Sequence, residues 1–202
     1  MSTGLPGALV DTLAALLGAD GWHVDAVIRA AHASDDSRRH GLPDAVAFPH
    51  NREQVAAIVR ACRTHRVPVV ARGTGTGTTG AAVASHGGVA VSFAHMDRIL
   101  DIRPGDRCAV VEPGLRNGAL QQALAPHGLF WPPDPSSADN CSIGGNLATN
   151  AGGPRAVKYG AARDNVLGLV AVTGHGELIH CGGPWTKVSS GYDLTRLIVG
   201  SE

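Results

Sequence analysis

The chain has 202 residues, of which 44% are hydrophobic and 17% are charged, a composition that excludes a disordered polyelectrolyte. Seventeen Lys and Arg balance seventeen Asp and Glu, so the chain lacks the basic field of a nucleic-acid binder, and no nucleic-acid partner is expected. Glycine is in excess, at 27 residues, about twice the usual share of roughly 7%, which indicates that the backbone comes close to another group.

Residues 1–44 are predicted to form an N-terminal helical arm. Residues 9–17 are apolar, but no Lys or Arg precedes them and Asp11 interrupts them, so the pattern favours an amphipathic helix over a secretion signal. No apolar run reaches the ~18 residues of a membrane span. We therefore expect a cytoplasmic protein without a membrane span, in which residues 32–44 form a loop or an extended arm.

The next segment has the pattern of a βαβ unit, which begins a domain predicted to cover residues 45–202. Residues 45–48 and 67–71 are predicted strands. Between them apolar residues recur at helical spacing, and Asn51 is the expected N-cap. Because a strand–helix–strand crossover joins parallel strands, these two strands are predicted to be parallel.

Short predicted strands between glycine-rich turns follow the βαβ unit. They cover residues 89–93, 108–111, 166–172 and 177–180, and a helix is predicted over residues 115–125. The Gly-His-Gly sequence at residues 174–176 predicts a hairpin between the last two strands. The predicted fold class is therefore α+β, with a small parallel βαβ subdomain and a larger mixed or antiparallel sheet with flanking helices.

A glycine-rich loop, Arg-Gly-Thr-Gly-Thr-Gly-Thr-Thr-Gly at residues 72–80, directly follows a predicted strand. Three of its glycines fit the GxGxxG pattern of dinucleotide-binding Rossmann folds. That motif brings a pyrophosphate to the start of a long helix, and the residues after Gly80 leave no room for one. The loop's amides, its threonine hydroxyls and Arg72 favour a phosphate-bearing ligand, and the alternative is a plain tight turn.

A second glycine-dense region covers residues 131–160. Its prolines, Pro132, Pro133 and Pro135, stiffen the chain. Two glycine pairs, at residues 144–145 and 152–153, allow close backbone approach. Asn146 and Asn150 have the i,i+4 spacing of one helix face. Together with the first loop, this region indicates a long ligand lined by backbone.

Four segments carry a resemblance to a known family: VPVVARGTGTGTTGAA at 67–82, PPDPSS at 132–137, CSIGGNLATNAGGPRAVKYG at 141–160 and GYDLTRLIVGSE at 191–202. The chain resembles the FAD-binding domain of the vanillyl-alcohol oxidase/p-cresol methylhydroxylase (PCMH) type. Within that type it is most similar to the FAD-linked 2-hydroxy-acid oxidoreductases, which include the glycolate oxidase large subunit, D-lactate dehydrogenase and D-2-hydroxyglutarate dehydrogenase.

The resemblance implies FAD as the cofactor and hydride transfer to it from a D-2-hydroxy acid of the glycolate or D-lactate type. Relatives that attach the flavin covalently through the loop carry His where Thr76 stands, so non-covalent FAD is expected. Thr74 departs from the family, which commonly has Gly there. The resemblance assigns cofactor binding to Arg72, Gly73, Thr74, Gly75, Thr76, Gly77, Pro133, Asp134, Ser137, Ser142, Gly144, Gly145, Asn146, Asn150, Gly152, Gly153, Tyr159 and Gly160.

The family continues beyond Glu202 with the rest of the FAD domain and a substrate domain, which holds metal-ligating histidines and the catalytic base. The resemblance therefore implies a C-terminally incomplete chain, with a partner subunit or a further domain completing it. No catalytic residue is assigned, and the ten histidines show no HxH or HExxH spacing, so no metal site is expected. The alternatives are a non-catalytic FAD-binding subunit of a multi-chain oxidase, a cell-wall UDP-sugar reductase on the same fold, and a Rossmann NAD protein.

Overall fold

The computed structural model describes residues 4–187 and 189–202, which divide into two compact units. The first unit comprises the chain up to Met96 together with Val172–Leu178, and the second comprises Asp97–Ala171 together with the chain from Ile179. The division into an arm at residues 1–44 and a domain at 45–202 stays a prediction.

The first unit is built on a four-stranded sheet. Its strands are β1 (Trp22–His23), β2 (Ala45–Ala47), β3 (Val69–Arg72) and β4 (Val89–Ser92), and they lie in the order β1-β2-β4-β3. The strand β1 runs antiparallel to β2, whereas β2 and β3 both run parallel to β4. The two strands of the predicted βαβ unit are therefore parallel, as expected, but β4 lies between them. The helices of this unit are α1 (Gly7–Leu17), α2 (Ala26–Ala31) and α3 (Arg52–Thr64).

The core of the first unit lies where α1 and α3 cover the sheet. Leu9 and Leu13 of α1 are fully buried together with Ile58 of α3 and Val89 of β4. Each such leucine contributes about 1.5–3 kcal/mol through its removal from water. Asn51 caps α3 as predicted, because its side chain accepts a hydrogen bond from the Gln54 amide at 2.8 Å.

The second unit contains short helices and antiparallel strands. Its strands are β5 (Ile99–Arg103) and β6 (Cys108–Val111), together with all but one residue each of β7 (Gly168–Val172) and β8 (Leu178–Gly182). Its helices are α4 (Asn117–Leu124), α5 (Ile143–Ala148), α6 (Ala156–Tyr159), α7 (Ala162–Asn165) and α8 (Leu194–Ile198). The strands β5 and β6 pair antiparallel, and β7 and β8 pair around the turn predicted at residues 174–176. The helices α4 and α5 bury Leu120, Leu124 and Ile143 in a separate core.

The structure confirms the α+β fold class, with parallel and antiparallel pairing in the same chain. Within the described residues the antiparallel strands beyond β4 form two separate two-stranded ladders. No helix in residues 4–187 or 189–202 has the length and apolar character needed to cross a membrane.

Candidate functional site

The glycine-rich loop leaves β3 with a run of unused hydrogen-bond donors. Within the described part of the chain, the backbone N–H groups of residues 74–78 donate to no acceptor. The hydroxyls of Thr74 and Thr76 lie 3.4 Å apart beside them. Gly75 has φ +79°, so the chain turns through the left-handed region within the loop. Successive free amides in such a turn form an anion-binding nest.

Two glycines of this loop stand in different surroundings. A Cβ on Gly75 would lie 2.6 Å from a guanidinium nitrogen of Arg72, and the positive φ adds strain to any side chain there. A Cβ on Gly77 would meet nothing within 4 Å. The fold itself therefore requires Gly75, whereas the space beside Gly77 is open to a ligand.

Arg72 supports the loop from within the protein. The residue is only 6% exposed, and its guanidinium donates to the carbonyl oxygens of Ser34 at 2.7 Å and Ala82 at 3.2 Å. Burial lowers the pKa of Arg72, and the charge of Asp35 opposes that shift. These contacts hold the loop in place, and the contact with a phosphate that the sequence suggested stays a prediction.

A turn that the sequence identified only as part of a loop or arm lies against the glycine-rich loop. This turn, residues 34–40, is called the strap below; it is closed by a β-bridge between Ser34 and His40. The amide of Asp36 donates to the Gly75 carbonyl at 3.0 Å. The stem of Arg39 lies beside Gly80, where a Cβ would come within 2.7 Å of its Cδ. The Asp, Ser and Arg residues of the strap predicted a polar loop, but they did not show that it packs against the glycine-rich loop.

In the second unit, Asp134 joins the proline-rich segment to the second glycine pair. Its amide donates to the Gly152 carbonyl at 3.0 Å, and its carboxylate accepts from the Arg155 amide at 3.1 Å. The Arg155 Nε lies 3.4 Å from the other carboxylate oxygen. Asp134 thus has a structural role, and its predicted contact with the cofactor stays a prediction.

Asn117 also positions the proline-rich segment, and the sequence analysis missed it. The residue is 1% exposed, and its side-chain amide donates to the carbonyl of Pro133 at 3.0 Å. It begins α4, where the helical pattern drew attention only to the apolar residues. The sequence feature that could have identified Asn117 is a polar residue on the face of the helix that is buried.

Asn146 presents a buried donor in α5. The residue is 2% exposed, and its Nδ2 has no acceptor in the described part of the chain. An unsatisfied buried donor costs about 1–3 kcal/mol and is rare in folded proteins. Nearby, Ser142 caps the helix by accepting from the Gly145 amide at 3.3 Å, and Gly144 packs against Pro113.

The predicted helix face shared by Asn146 and Asn150 is wrong. The helix α5 ends at Ala148, and Asn150 adopts φ +51°, in the left-handed region that asparagine tolerates better than most residues. Its side chain instead accepts from the Arg163 amide at 2.8 Å. Asn150 therefore fixes the turn after the helix rather than extending its face.

The end of the glycine-dense region is open at the surface of the second unit. The amides of Gly152 and Gly153 donate to no acceptor within the described residues. Tyr159 is 40% exposed, and its ring stands edge-on to Phe130 at a centroid distance of 5.1 Å. A cleft of about 510 Å³ beside these rings is lined by Gln121, Ala125, Leu129, Phe130, Arg155 and Tyr159.

The remaining predicted residues lie within the same two segments. The carbonyl of Ser137 accepts from the amides of Asn140 and Cys141 in the turn after the prolines. Gly160 has φ +79° and packs against the side chain of Asp164. Gly73 follows β3 at the start of the loop.

The free amides of the glycine-rich loop in the first unit are suited to bind an anion such as a phosphate. In the second unit, Asn146 presents a buried donor without a partner among the described residues. Residues 43–182 match the family described as "FAD binding domain", so the chain belongs to this family. The expectation of FAD as the cofactor is confirmed at the level of the family.

Relatives with curated names agree with this assignment. The chain is 45% identical over 161 residues to the glycolate oxidase subunit GlcD of Bacillus subtilis (strain 168), a match that covers 80% of this chain and 34% of that protein. It is 41% identical over 196 residues to the D-2-hydroxyglutarate dehydrogenase of Stutzerimonas stutzeri (strain A1501), covering 96% of this chain and 42% of that protein. The chain thus spans less than half the length of these relatives.

Solved structures confirm the PCMH-type fold. A substrate-bound p-cresol methylhydroxylase superimposes with a TM-score of 0.82 at 21% identity, over 98% of this chain and 42% of that one. An alkyldihydroxyacetonephosphate synthase gives a TM-score of 0.85 at 23% identity, over 98% of this chain and 41% of that one. At these identities the likeness concerns the fold.

Proposed function

We propose that the chain is the FAD-binding part of a flavin-dependent oxidoreductase that oxidises a D-2-hydroxy acid of the glycolate or D-lactate type. The observation that carries this proposal is the run of free amides at residues 74–78 in a chain that belongs to an FAD-binding family. The names of the relatives, which include a glycolate oxidase subunit, a D-2-hydroxyglutarate dehydrogenase and a probable D-lactate dehydrogenase, support the substrate class.

In the first unit, the glycine-rich loop would bind the cofactor's diphosphate. Its free N–H groups and the hydroxyls of Thr74 and Thr76 supply donors to phosphate oxygens. The open space beside Gly77 lets the phosphates approach the backbone. Residue 76 is Thr and not His, so we propose that FAD is bound non-covalently.

In the second unit, donors and rings suited to the rest of the cofactor lie in residues 142–160. The free donors there include the amides of Gly152 and Gly153 and the Nδ2 of Asn146, and Tyr159 stands at the surface. The other predicted residues, Pro133, Asp134, Ser137, Ser142, Gly144, Gly145, Asn150 and Gly160, are proposed to line the site or to hold its backbone in shape.

FAD, when bound, supplies the two-electron acceptor for the hydride that leaves the Cα of the hydroxy acid. The residues of this chain bind and orient the cofactor. Asp134 is engaged with Arg155 and is not proposed as a base. We propose that the base and the substrate contacts come from a further domain or a partner subunit, as the name of the GlcD relatives suggests. Cytoplasmic location, with peripheral membrane association through a partner, stays a prediction.

The test uses the affinity-tagged chain expressed in its own organism, so that any partner is retained. The purified material is mixed without oxygen with glycolate, D-lactate or D-2-hydroxyglutarate, and the visible absorbance of oxidised flavin is recorded. L-Lactate is the stereochemical control, and NADPH tests the sugar-nucleotide reductase alternative. Bleaching by a D-2-hydroxy acid or glycolate but not by L-lactate is expected. A flavin bleached only by NADPH, or by none of these, would contradict the proposed substrate class.

A further inference from the structure

Arg72, the cation within the glycine-rich loop, is not available at the loop surface to bind an anion. Arg72 is 6% exposed, and two carbonyl oxygens, of Ser34 and Ala82, bind its guanidinium. The free amides of residues 74–78 therefore have no exposed cation within the loop itself. A diphosphate carries negative charge that hydrogen bonds from amides only partly offset, so a nearby cation would strengthen its binding.

The strap is fixed to the loop by backbone and side-chain contacts. The Asp36 amide donates to the Gly75 carbonyl at 3.0 Å, and the Ser34 carbonyl accepts from Arg72 at 2.7 Å. Within the strap, the Ser37 amide donates to Asp35 at 2.9 Å and the Arg39 amide to the Ser37 hydroxyl at 3.1 Å. These bonds hold the strap in a defined position beside the loop.

The side chain of Arg39 lies against Gly80 of the loop, and the hydroxyl of Ser37 lies beside the same glycine. A Cβ on Gly80 would approach the Arg39 Cδ within 2.7 Å and its Nε within 3.3 Å, and Gly80 has φ +88°. Arg39 is exposed, and its guanidinium forms no ion pair within the described part of the chain. A guanidinium in this position has its donors free for phosphate oxygens, which it matches in a bidentate geometry.

We propose that Arg39 is the solvent-facing cation of the diphosphate site, and that the strap positions it there. This inference rests on the proposed binding of FAD to the loop. The strap carries Asp35 and Asp36 as well as Arg38 and Arg39, so its formal charge is zero and cannot by itself attract an anion. The proposed effect on anion binding therefore depends on the placement of Arg39 beside Gly80. Arg38 carries the same charge but has no described contact with the loop.

The experiment compares the Arg39→Gln and Arg38→Gln variants of the full chain. Both variants lose one positive charge, at adjacent exposed positions. The dissociation constant of FAD is measured by flavin fluorescence, and inorganic pyrophosphate is titrated as a competitor. For Arg39→Gln we expect FAD and pyrophosphate both to bind about tenfold more weakly, with a smaller difference at high salt. For Arg38→Gln we expect both constants to match the wild type.

Three results would overturn the proposal. The first is that the Arg39→Gln and Arg38→Gln chains bind FAD with the same affinity. The second is that Arg39→Gln weakens the binding of FAD but not that of pyrophosphate. The third is that pyrophosphate does not compete with FAD for the wild-type chain. Thermal unfolding of each apo chain controls for loss of fold, and Arg39→Lys, which keeps the charge, is expected to recover part of the affinity. A wild-type chain that is folded but binds no FAD would instead overturn the proposed function itself.

Discussion

Asp134 and Gly153 lie so close together that the glycine has no room for a side chain. A Cβ on Gly153 would run into the carboxylate and the backbone carbonyl of Asp134, and its φ of +132° is one that other residues rarely adopt. The amide of Asp134 also donates to the neighbouring Gly152 carbonyl at 3.0 Å. The proline-rich segment and the second glycine pair therefore fix each other in place.

Replacing Gly153 with Ala is expected to destabilise the protein, because both the backbone conformation and the contact with Asp134 are lost. A destabilisation of about 2–4 kcal/mol is expected, as for substitutions that combine overpacking with backbone strain. Urea denaturation of the apo chain measures it. Gly152→Ala is the control, since its Cβ would meet only the Ala156 methyl at 3.5 Å. Equal stability of the two variants would contradict the structural role given to Gly153.

Alanine at the two central glycines of the first loop should affect different properties, folding stability at Gly75 and FAD affinity at Gly77. Gly75→Ala places a Cβ 2.6 Å from the Arg72 guanidinium at φ +79°, so a loss of about 1–3 kcal/mol in folding free energy is expected. Gly77→Ala meets no neighbour, so the apo chain should keep its melting temperature while FAD binds more weakly. Thermal unfolding and a flavin titration separate the two effects. A Gly77→Ala chain with unchanged FAD affinity would count against diphosphate binding at this loop.

His32 is expected to make the fold sensitive to mild acid. Burial lowers its pKa below the ordinary value of 6.5, and the nearby charges of Arg72 and His23 act in the same direction, against the hydrogen bond to the Ile28 carbonyl. The folded state therefore favours the neutral ring, and the unfolded chain binds more protons as the pH falls through 6.5. Stability contributed by His32 is present above that pH and decreases below it.

The free energy of unfolding, measured by urea titration between about pH 7 and pH 5, tests this dependence. His32→Gln should flatten the slope relative to the wild type. A His32→Gln chain with the full wild-type slope would show that the pH dependence arises elsewhere.

Local patterns predicted the βαβ part of the fold and one strand of the second unit well. The expected strand at residues 45–48 corresponds to β2, the cap at Asn51 is present, and the strand at 108–111 has the observed bounds of β6. These elements have clear apolar periodicity and recognisable ends. The position of β4 between β2 and β3 depends on contacts distant in sequence, which a pattern within one segment does not contain.

Elements with weak periodicity were missed. The strand β5 includes Asp101 and Arg103, whose side chains pair with each other at 2.6 Å, and these charges obscured its apolar residues. The helix α8 is only five residues long and depends on a cap from Asp193, which accepts from the Arg196 amide at 3.0 Å. Such short elements are stabilised by tertiary packing more than by their own sequence.

The candidate site was predictable as a set of segments but not as a set of contacts. The glycines and Asn146 were singled out from composition and resemblance. That Arg72 is buried beneath its loop, and that Asn117 holds the Pro133 carbonyl, follows only from the packing of distant parts of each unit. A polar residue in a sequence does not show which of its possible partners it meets.

FAD binding by this chain is tested most directly by the absorbance spectrum of the purified chain after incubation with FAD and desalting. We expect the visible bands of oxidised flavin to stay with the protein, at close to one FAD for each chain. Trichloroacetic acid should release the flavin, because it is not covalently attached. A chain that circular dichroism shows to be folded, yet that retains no flavin, would contradict the assignment of FAD binding to this chain.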